Sequence, residues 1–181
     1  LEAQHVMEHA RQQIAAALGC KAQELLFTSG ATESTNLALR GAAAAHGRKR
    51  KKIITSAVEH ASVRQTLAQL EQQGFTVVAV APDADGRYHA EDFLREVDGD
   101  TCLVSMMLVN NENGYRMPVE ETFRGVKRKD PEILTHCDAV QGFLKVPFRT
   151  RSLNADLISL SGHKVHALKG AGALYLRQGV R

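Results

Sequence analysis

Short apolar runs alternating with stretches of helical periodicity constrain this chain more than any other feature. Lys52-Ile53-Ile54-Thr55-Ser56 is too short for a helix and lacks the polar alternation of a half-exposed strand, so it reads as a buried strand. Residues 24–28, 75–81, 101–109, 132–137, 155–160 and 172–177 read the same way. Between them lie helical patterns. Val6, Ala10, Ile14, Ala17 and Leu18 are stopped by Gly19, and the segment 32–45 is rich in Ala and Leu. Val63, Leu67 and Leu70 mark a helix over 62–73, and a short one is expected over 90–97. Pro118 opens another, reaching Lys129, at a position where its missing N–H costs little. This alternation predicts an α/β fold: a mainly parallel, seven-stranded sheet with helices on both faces, in one domain over residues 1–181.

In open parallel sheets, ligands bind beyond the carboxyl ends of the strands. Five expected strands end in polar or glycine-rich sequence: Ser29-Gly30-Ala31-Thr32, Glu59-His60, Asn110-Asn111-Glu112-Asn113-Gly114, Asp138-Ala139-Val140-Gln141 and Ser161-Gly162-His163-Lys164. Each alone is a turn, and the last alone reads as a surface turn with a solvated lysine. Parallel strands would bring all five to one edge. There the first cluster joins a strand to a helix N-terminus, whose free N–H groups suit a phosphate, with the Thr32 hydroxyl added. Asp138 can hold the proton of a ring nitrogen, and His60 can stack on such a ring. Lys164, buried among apolar residues, can be pushed towards its neutral, nucleophilic form and hold an aldehyde. A phosphate cradle, a ring-facing carboxylate and a strand-end lysine together describe a pyridoxal phosphate site.

Composition excludes other classes. No apolar run is long enough to span a bilayer, and the start shows no signal-peptide pattern. The net charge of +3 is too weak to argue for nucleic acid, and the run Arg48-Lys49-Arg50-Lys51-Lys52, without aromatic residues, reads as a solvated loop. Cys20, Cys102 and Cys137 are widely spaced and form no Cys-x-x-Cys pair, so no metal site is expected and they read as reduced thiols of a cytoplasmic protein.

Phe27-Thr28-Ser29-Gly30-Ala31-Thr32-Glu33, Val58-Glu59-His60, Val109-Asn110-Asn111-Glu112-Asn113-Gly114, His136-Cys137-Asp138-Ala139-Val140-Gln141 and Ser161-Gly162-His163-Lys164 resemble the cysteine desulfurases of the NifS/IscS branch, class V aminotransferases with the type I pyridoxal phosphate fold. The resemblance implies that residues 172–177 form the antiparallel strand. It implies that Lys164 carries the cofactor, Asp138 pairs with its pyridinium nitrogen and His60 stacks on its ring. Gln141 would hydrogen-bond the phenolic oxygen, and Asn111 would lie beside cofactor and substrate. Ala31 through its N–H, Thr32, Ser161 and His163 would hold the phosphate. It further implies L-cysteine as substrate, sulfur passing to an enzyme cysteine, a homodimer, and an acceptor such as an iron–sulfur scaffold protein.

Family members carry a segment ahead of the first helix and a small domain after the last strand. The sequence opens inside a helix-like pattern, Leu1-Glu2-Ala3-Gln4, so both are expected to lie outside this chain, along with the persulfide cysteine and a substrate-binding arginine. Val165-His166-Ala167-Leu168 also departs from the family's aromatic-Gly-Pro pattern. Two competing readings stand beside the first: a selenocysteine lyase or other class V enzyme, and a non-catalytic domain that dimerises or binds an acceptor.

Overall fold

The computed structural model describes residues 2–46 and 49–180; Leu1 of the opening helical pattern and Arg48 of the basic run lie outside them. The strands are β1 (Leu25–Thr28), β2 (Lys52–Ser56), β3 (Thr76–Val80), β4 (Thr101–Met107), β5 (Leu134–Asp138), β6 (Leu157–Ser161) and β7 (Gly172–Leu176). They form one seven-stranded sheet in the order β1-β7-β6-β5-β4-β2-β3. Pairing is parallel from β3 through β6, while β7 runs antiparallel to both β6 and β1. Strand β1 therefore points the same way as β2 to β6, and all five clusters open on one edge. The observed strands depart from the expected spans by two residues or fewer at any end.

Helices cover both faces. On one, α2 (Ala31–His46) and α3 (Ala61–Gln72) bury Ala38, Leu39, Ala42, Val63 and Leu67 against Ile53, Leu103 and Leu134. On the other, α1 (Glu2–Leu18), α4 (Ala90–Glu96) and α5 (Val119–Lys129) bury Leu18, Phe93 and Phe123 against Ile54, Val104 and Ile158. The sequence of α5 shows why it forms. Val119, Phe123 and Val126 share one face, acids occupy its first turn, and Lys127, Arg128 and Lys129 its last, complementing the helix dipole. Helix α1 ends at Gly19, which adopts φ +71, and its terminal carbonyls of Ala16 and Ala17 accept from the Arg149 guanidinium at 2.6 and 2.8 Å. Arg149 precedes a four-residue helix, α6 (Thr150–Leu153), too short to leave a periodic signal.

Two expectations are corrected. Residues 24–28 are not a buried strand: Glu24 belongs to a 3-10 turn, and β1 is a sheet edge on which Leu26 is 52% exposed. Arg11 of α1 shields that edge, donating to the Leu25 carbonyl and lying 4.7 Å above the Phe27 ring. Nor is the described part of the basic run a solvated loop. Arg50 pairs with Asp130 at 2.7 Å and Glu132 at 3.3 Å, Lys52 with Asp98 at 3.0 Å and Glu96 at 3.7 Å, and Lys51 lies over the Phe75 ring.

At the amino edge of the sheet, away from the clusters, Asp156 is fully buried. Its Oδ2 accepts from Lys127 Nζ at 2.5 Å and Thr135 N–H at 2.9 Å, and its Oδ1 lies 2.7 Å from the Arg177 guanidinium, too bent for a hydrogen bond. Burial pulls the Lys127 ammonium below its usual range, and the Asp156 carboxylate opposes that pull. This one carboxylate thus ties α5, β5, β6 and the end of β7. Asp156→Ala strands a half-buried cation and the Thr135 N–H, so we expect a loss of about 3–5 kcal/mol. Urea denaturation at neutral pH checks it; a loss below about 1 kcal/mol would show that the cluster is not a structural tie.

Candidate functional site

The edge built by the carboxyl ends of β1, β2, β4, β5 and β6 encloses a cavity of about 480 Å³. Its first wall is the turn from β1 into α2. The first intrahelical bond runs from Ser34 N–H to the Gly30 carbonyl at 3.1 Å. The N–H groups of Ala31, Thr32 and Glu33 thus have no helical acceptor. Glu33 folds back, its Oε2 accepting from Ser29 N–H at 2.6 Å and Ser29 Oγ at 2.7 Å, and these bonds hold its carboxyl below the usual range. Gly172 lets β7 pass close to this turn: a Cβ there would stand 2.6 Å from the Gly30 Cα.

The floor comes from β4, β5 and β6. Asp138 ends β5, 6% exposed, and its Oδ1 accepts from Val140 N–H at 3.0 Å. Among the described residues its other oxygen has no hydrogen-bond partner. Burial raises the Asp138 carboxyl, while the Val140 N–H and His60 oppose that rise. Beyond β6, Ser161 Oγ and His163 Nδ1 lie 2.8 Å apart, and Lys164 follows in a 3-10 turn. Lys164 is half-buried and shares the cavity with polar groups, rather than being sealed among apolar side chains as its sequence suggests.

The remaining wall is the turn after β2 and the loop after β4. His60 caps α3, its Nδ1 accepting from Ser62 N–H at 3.2 Å. That bond leaves the ring proton on Nε2 in the neutral form. Asn110 Oδ1 accepts from the N–H groups of Glu112 and Asn113 at 2.9 and 3.1 Å, which shapes the loop that presents Asn111. Asn111 donates its amide N–H to Glu112 and Gln141 Oε1 accepts from Lys145 Nζ at 2.9 Å, so among the described residues the Asn111 carbonyl oxygen and the Gln141 amide N–H groups are free.

Directly beneath the floor, His136 is fully buried. Ser105 Oγ lies 2.8 Å from its Nδ1 and Ser159 Oγ 2.9 Å from its Nε2, so one imidazole joins β4, β5 and β6. Burial drops this imidazole to about 3, so it stays neutral in the folded protein.

Ala31, Thr32, His60, Asn111, Asp138, Gln141, Ser161, His163 and Lys164, the residues anticipated from sequence, all line the cavity. Met107, Val109 and Val140 line it too and were not anticipated; as apolar residues at strand ends they look like core in the sequence. Glu59 was noted only as the neighbour of His60. It is fully enclosed, with Oε1 accepting from Ser56 Oγ at 2.5 Å and Met107 N–H at 2.9 Å. The three cysteines stay outside the cavity. Cys137 points into the α5-side core and Cys102 into the opposite one. Burial holds Cys20 and Cys102 up at about 11 and pushes the Cys137 thiol well above its usual range. Free helical N–H groups at one end, a lysine beside them and an unpartnered carboxylate oxygen across the floor fit a phosphorylated pyridine aldehyde.

The family described as aminotransferase class-V matches residues 1–181. A cysteine desulfurase of Trichormus variabilis is 43% identical over 175 residues, covering 97% of this chain and 43% of that protein. The chain thus spans less than half the length of the curated relatives it matches. Among solved structures, a NifS-like protein superposes with a TM-score of 0.94 at 44% identity, over 99% of this chain and 49% of the other. A structure titled SspA in complex with cysteine gives 0.93 at 38% identity, over 98% and 50%.

The buried histidine gives a test of the floor. Unfolded, His136 takes a proton near pH 6.5; folded, only near pH 3. Between those values the unfolded state holds one more proton, so stability is complete above about 6.5 and falls as pH drops. We expect a slope from this residue of about 1.4 kcal/mol per pH unit, removed in His136→Gln. Denaturation curves between about pH 4 and 7 check it; equal slopes in the two proteins would place the histidine in contact with water.

Proposed function

The chain belongs to the class V aminotransferase family, and on that premise we propose that it is the cofactor-binding part of a pyridoxal phosphate-dependent cysteine desulfurase. The observation that carries the reading is the convergence of nine anticipated residues, from five strand ends, on one cavity. In this reading the protein takes sulfur from L-cysteine, leaves alanine, and passes the sulfur to an enzyme cysteine. The relatives named cysteine desulfurases and the neighbour solved with cysteine support that substrate.

Bound pyridoxal phosphate supplies an electron sink for bonds breaking at the substrate's α and β carbons. The chain's own groups do the rest. The N–H groups of Ala31 and Thr32, the Thr32 hydroxyl, Ser161 and His163 bind the phosphate at the α2 N-terminus. Lys164 would hold the aldehyde, and its amine is the group that would move a proton at the substrate Cα. The free Asp138 oxygen would accept the ring-nitrogen N–H, and that partner would supply the charge that offsets the carboxylate's burial. His60, its Nδ1 engaged by Ser62 N–H, would stack on the ring. Gln141 would donate its free amide N–H to the phenolic oxygen, and Asn111 would lie beside cofactor and substrate.

The accepting thiolate lies outside these residues, since burial keeps Cys20, Cys102 and Cys137 protonated and away from the cavity. No helix here is long and apolar enough to cross a membrane among the described residues. We place the protein in the cytoplasm as a homodimer that hands sulfur to an acceptor such as an iron–sulfur scaffold, following the NifS/IscS character of its motifs.

Three tests use the complete protein. Borohydride treatment with cofactor should fix a pyridoxyl mass on the peptide carrying Lys164, and Lys164→Ala should abolish it. A label on another lysine would overturn the assignment. Asp138→Asn should retain cofactor but lower alanine formation by about 10²–10³, the loss typical of one preorganised electrostatic group. Cys137→Ala should leave alanine formation intact; its loss in a folded variant would make Cys137 the nucleophile.

A further inference from the structure

Glu59 carries a carboxyl that none of these steps uses, yet it is 3% exposed and lies beneath the wall that holds His60. The backbone explains one of its tasks. The chain leaves β2 after Ser56, while β4 continues to Met107, two residues past the pairing of Ser105 with Thr55. The Met107 N–H facing that side has no strand partner left, and Glu59 Oε1 takes it at 2.9 Å while also accepting from Ser56 Oγ at 2.5 Å. Asn110 Nδ2 adds a second tie to the same turn, donating to the Val58 carbonyl at 3.4 Å. The backbone of the His60 turn is thus fastened to the end of β4.

The other Glu59 oxygen, Oε2, is buried without a hydrogen-bond partner. Among the described residues, no Lys, Arg or His pairs with this carboxyl. The titratable groups coupled to it electrostatically are Asp138 and, from the other side of β5, Cys137, with Tyr88 from the loop before α4, all of them acids. An ionised Glu59 would be a buried anion with no counter-charge, next to a second carboxylate. Burial first, then the Asp138 charge, moves Glu59 up to about 8, against the pull of Ser56 and the Met107 N–H. Asp138 is itself raised by burial, so a second charge beside it would drive it to the neutral form as well.

We propose that Glu59 is a positioning residue that works in its protonated form: it fastens the His60 turn to β4 without adding charge, leaving Asp138 as the one buried anion below the cavity. Two neighbouring carboxyls take opposite roles because one has a partner in the cavity and the other has none. The idea rests on the reading that Asp138 faces a cofactor ring nitrogen.

The test compares the complete wild-type protein with Glu59→Gln, which keeps the shape and both accepted hydrogen bonds and cannot ionise, its amide NH2 standing where the partnerless Oε2 does. Pyridoxal phosphate affinity is measured by absorbance titration at about pH 6 and about pH 9.5. We expect the two proteins to converge at the lower pH, and Glu59→Gln to bind roughly tenfold more tightly than wild type at the higher, where the wild type has ionised. A Gln variant that binds tenfold more weakly at both pH values would show that the charge is required, and would overturn the proposal. Infrared spectra of the cofactor-free protein give a second arm. A carboxylic-acid carbonyl band should be present at about pH 6, survive in Asp138→Asn and vanish in Glu59→Gln or as pH rises past about 8. Its absence at pH 6 would also overturn the proposal. Wild-type protein that binds no pyridoxal phosphate would sink the functional reading, while the infrared arm would still decide the state of Glu59. Should Glu59→Gln fail to fold, the pH titration of the band in Asp138→Asn decides alone.

Discussion

The parallel register of β4, β5 and β6 is the constraint on which the cavity depends. Met107 pairs with Asp138, Ser105 with His136, and Asp138 with Ser159. Because side chains alternate across a strand, His136 and Asp138 face the same side, with Cys137 on the other. A slip of one residue in β5 would put the Cys137 thiol in the floor and bury Asp138 in a hydrocarbon core. The Ser105–His136–Ser159 bridge ties the three strands side chain to side chain, one layer below the floor, and so opposes that slip.

The two edges of the sheet solve different electrostatic problems. At the amino edge, opposite charges meet directly: Lys127 and Arg177 around Asp156, Arg50 on Asp130, Lys52 on Asp98. At the carboxyl edge, groups are left with one bonding capacity unspent: the α2 N–H groups, one Asp138 oxygen, one Gln141 amide. Closed pairs there would compete with any ligand. The Lys127–Asp156 pair is screened little by salt because it is buried, whereas Arg177 and the more exposed partners of Arg50 and Lys52 are screened more.

Much of this was legible in the sequence because it is written locally. Apolar runs such as Ile53-Ile54 and Val77-Val78 declare strands, and polar clusters after them declare a shared edge once parallel pairing is assumed. What was not legible depends on distant residues. Nothing within residues 49–52 announces acids at Asp98 and Asp130, so the basic run looked solvated. The exposed face of β1 follows from its place at the sheet edge, which the four residues themselves do not encode. Glu59 looked like a turn acid, because its enclosure is made by Met107 and Asp138, far along the chain. Lys164 looked more buried than it is, since its strand is apolar but the turn that carries it opens into a polar cavity.

The pairing of β1 with β7 joins the first strand of the chain to the last. Among the described residues neither β1 nor the Ser29–Gly30 turn has another strand to lean on, and Gly172 must arrive before Gly30 is backed. On a ribosome, residues 25–28 emerge long before their partner, and they wait with an unpaired edge until residue 176 has been made. Closing that separation costs chain entropy that local contacts cannot offset. The rest of the sheet, from β3 to β6, can zip from nearer neighbours. The Ser29–Gly30 turn therefore waits on the longest-range strand pairing in the sheet, and β1 is the segment that a holding chaperone would most need to cover.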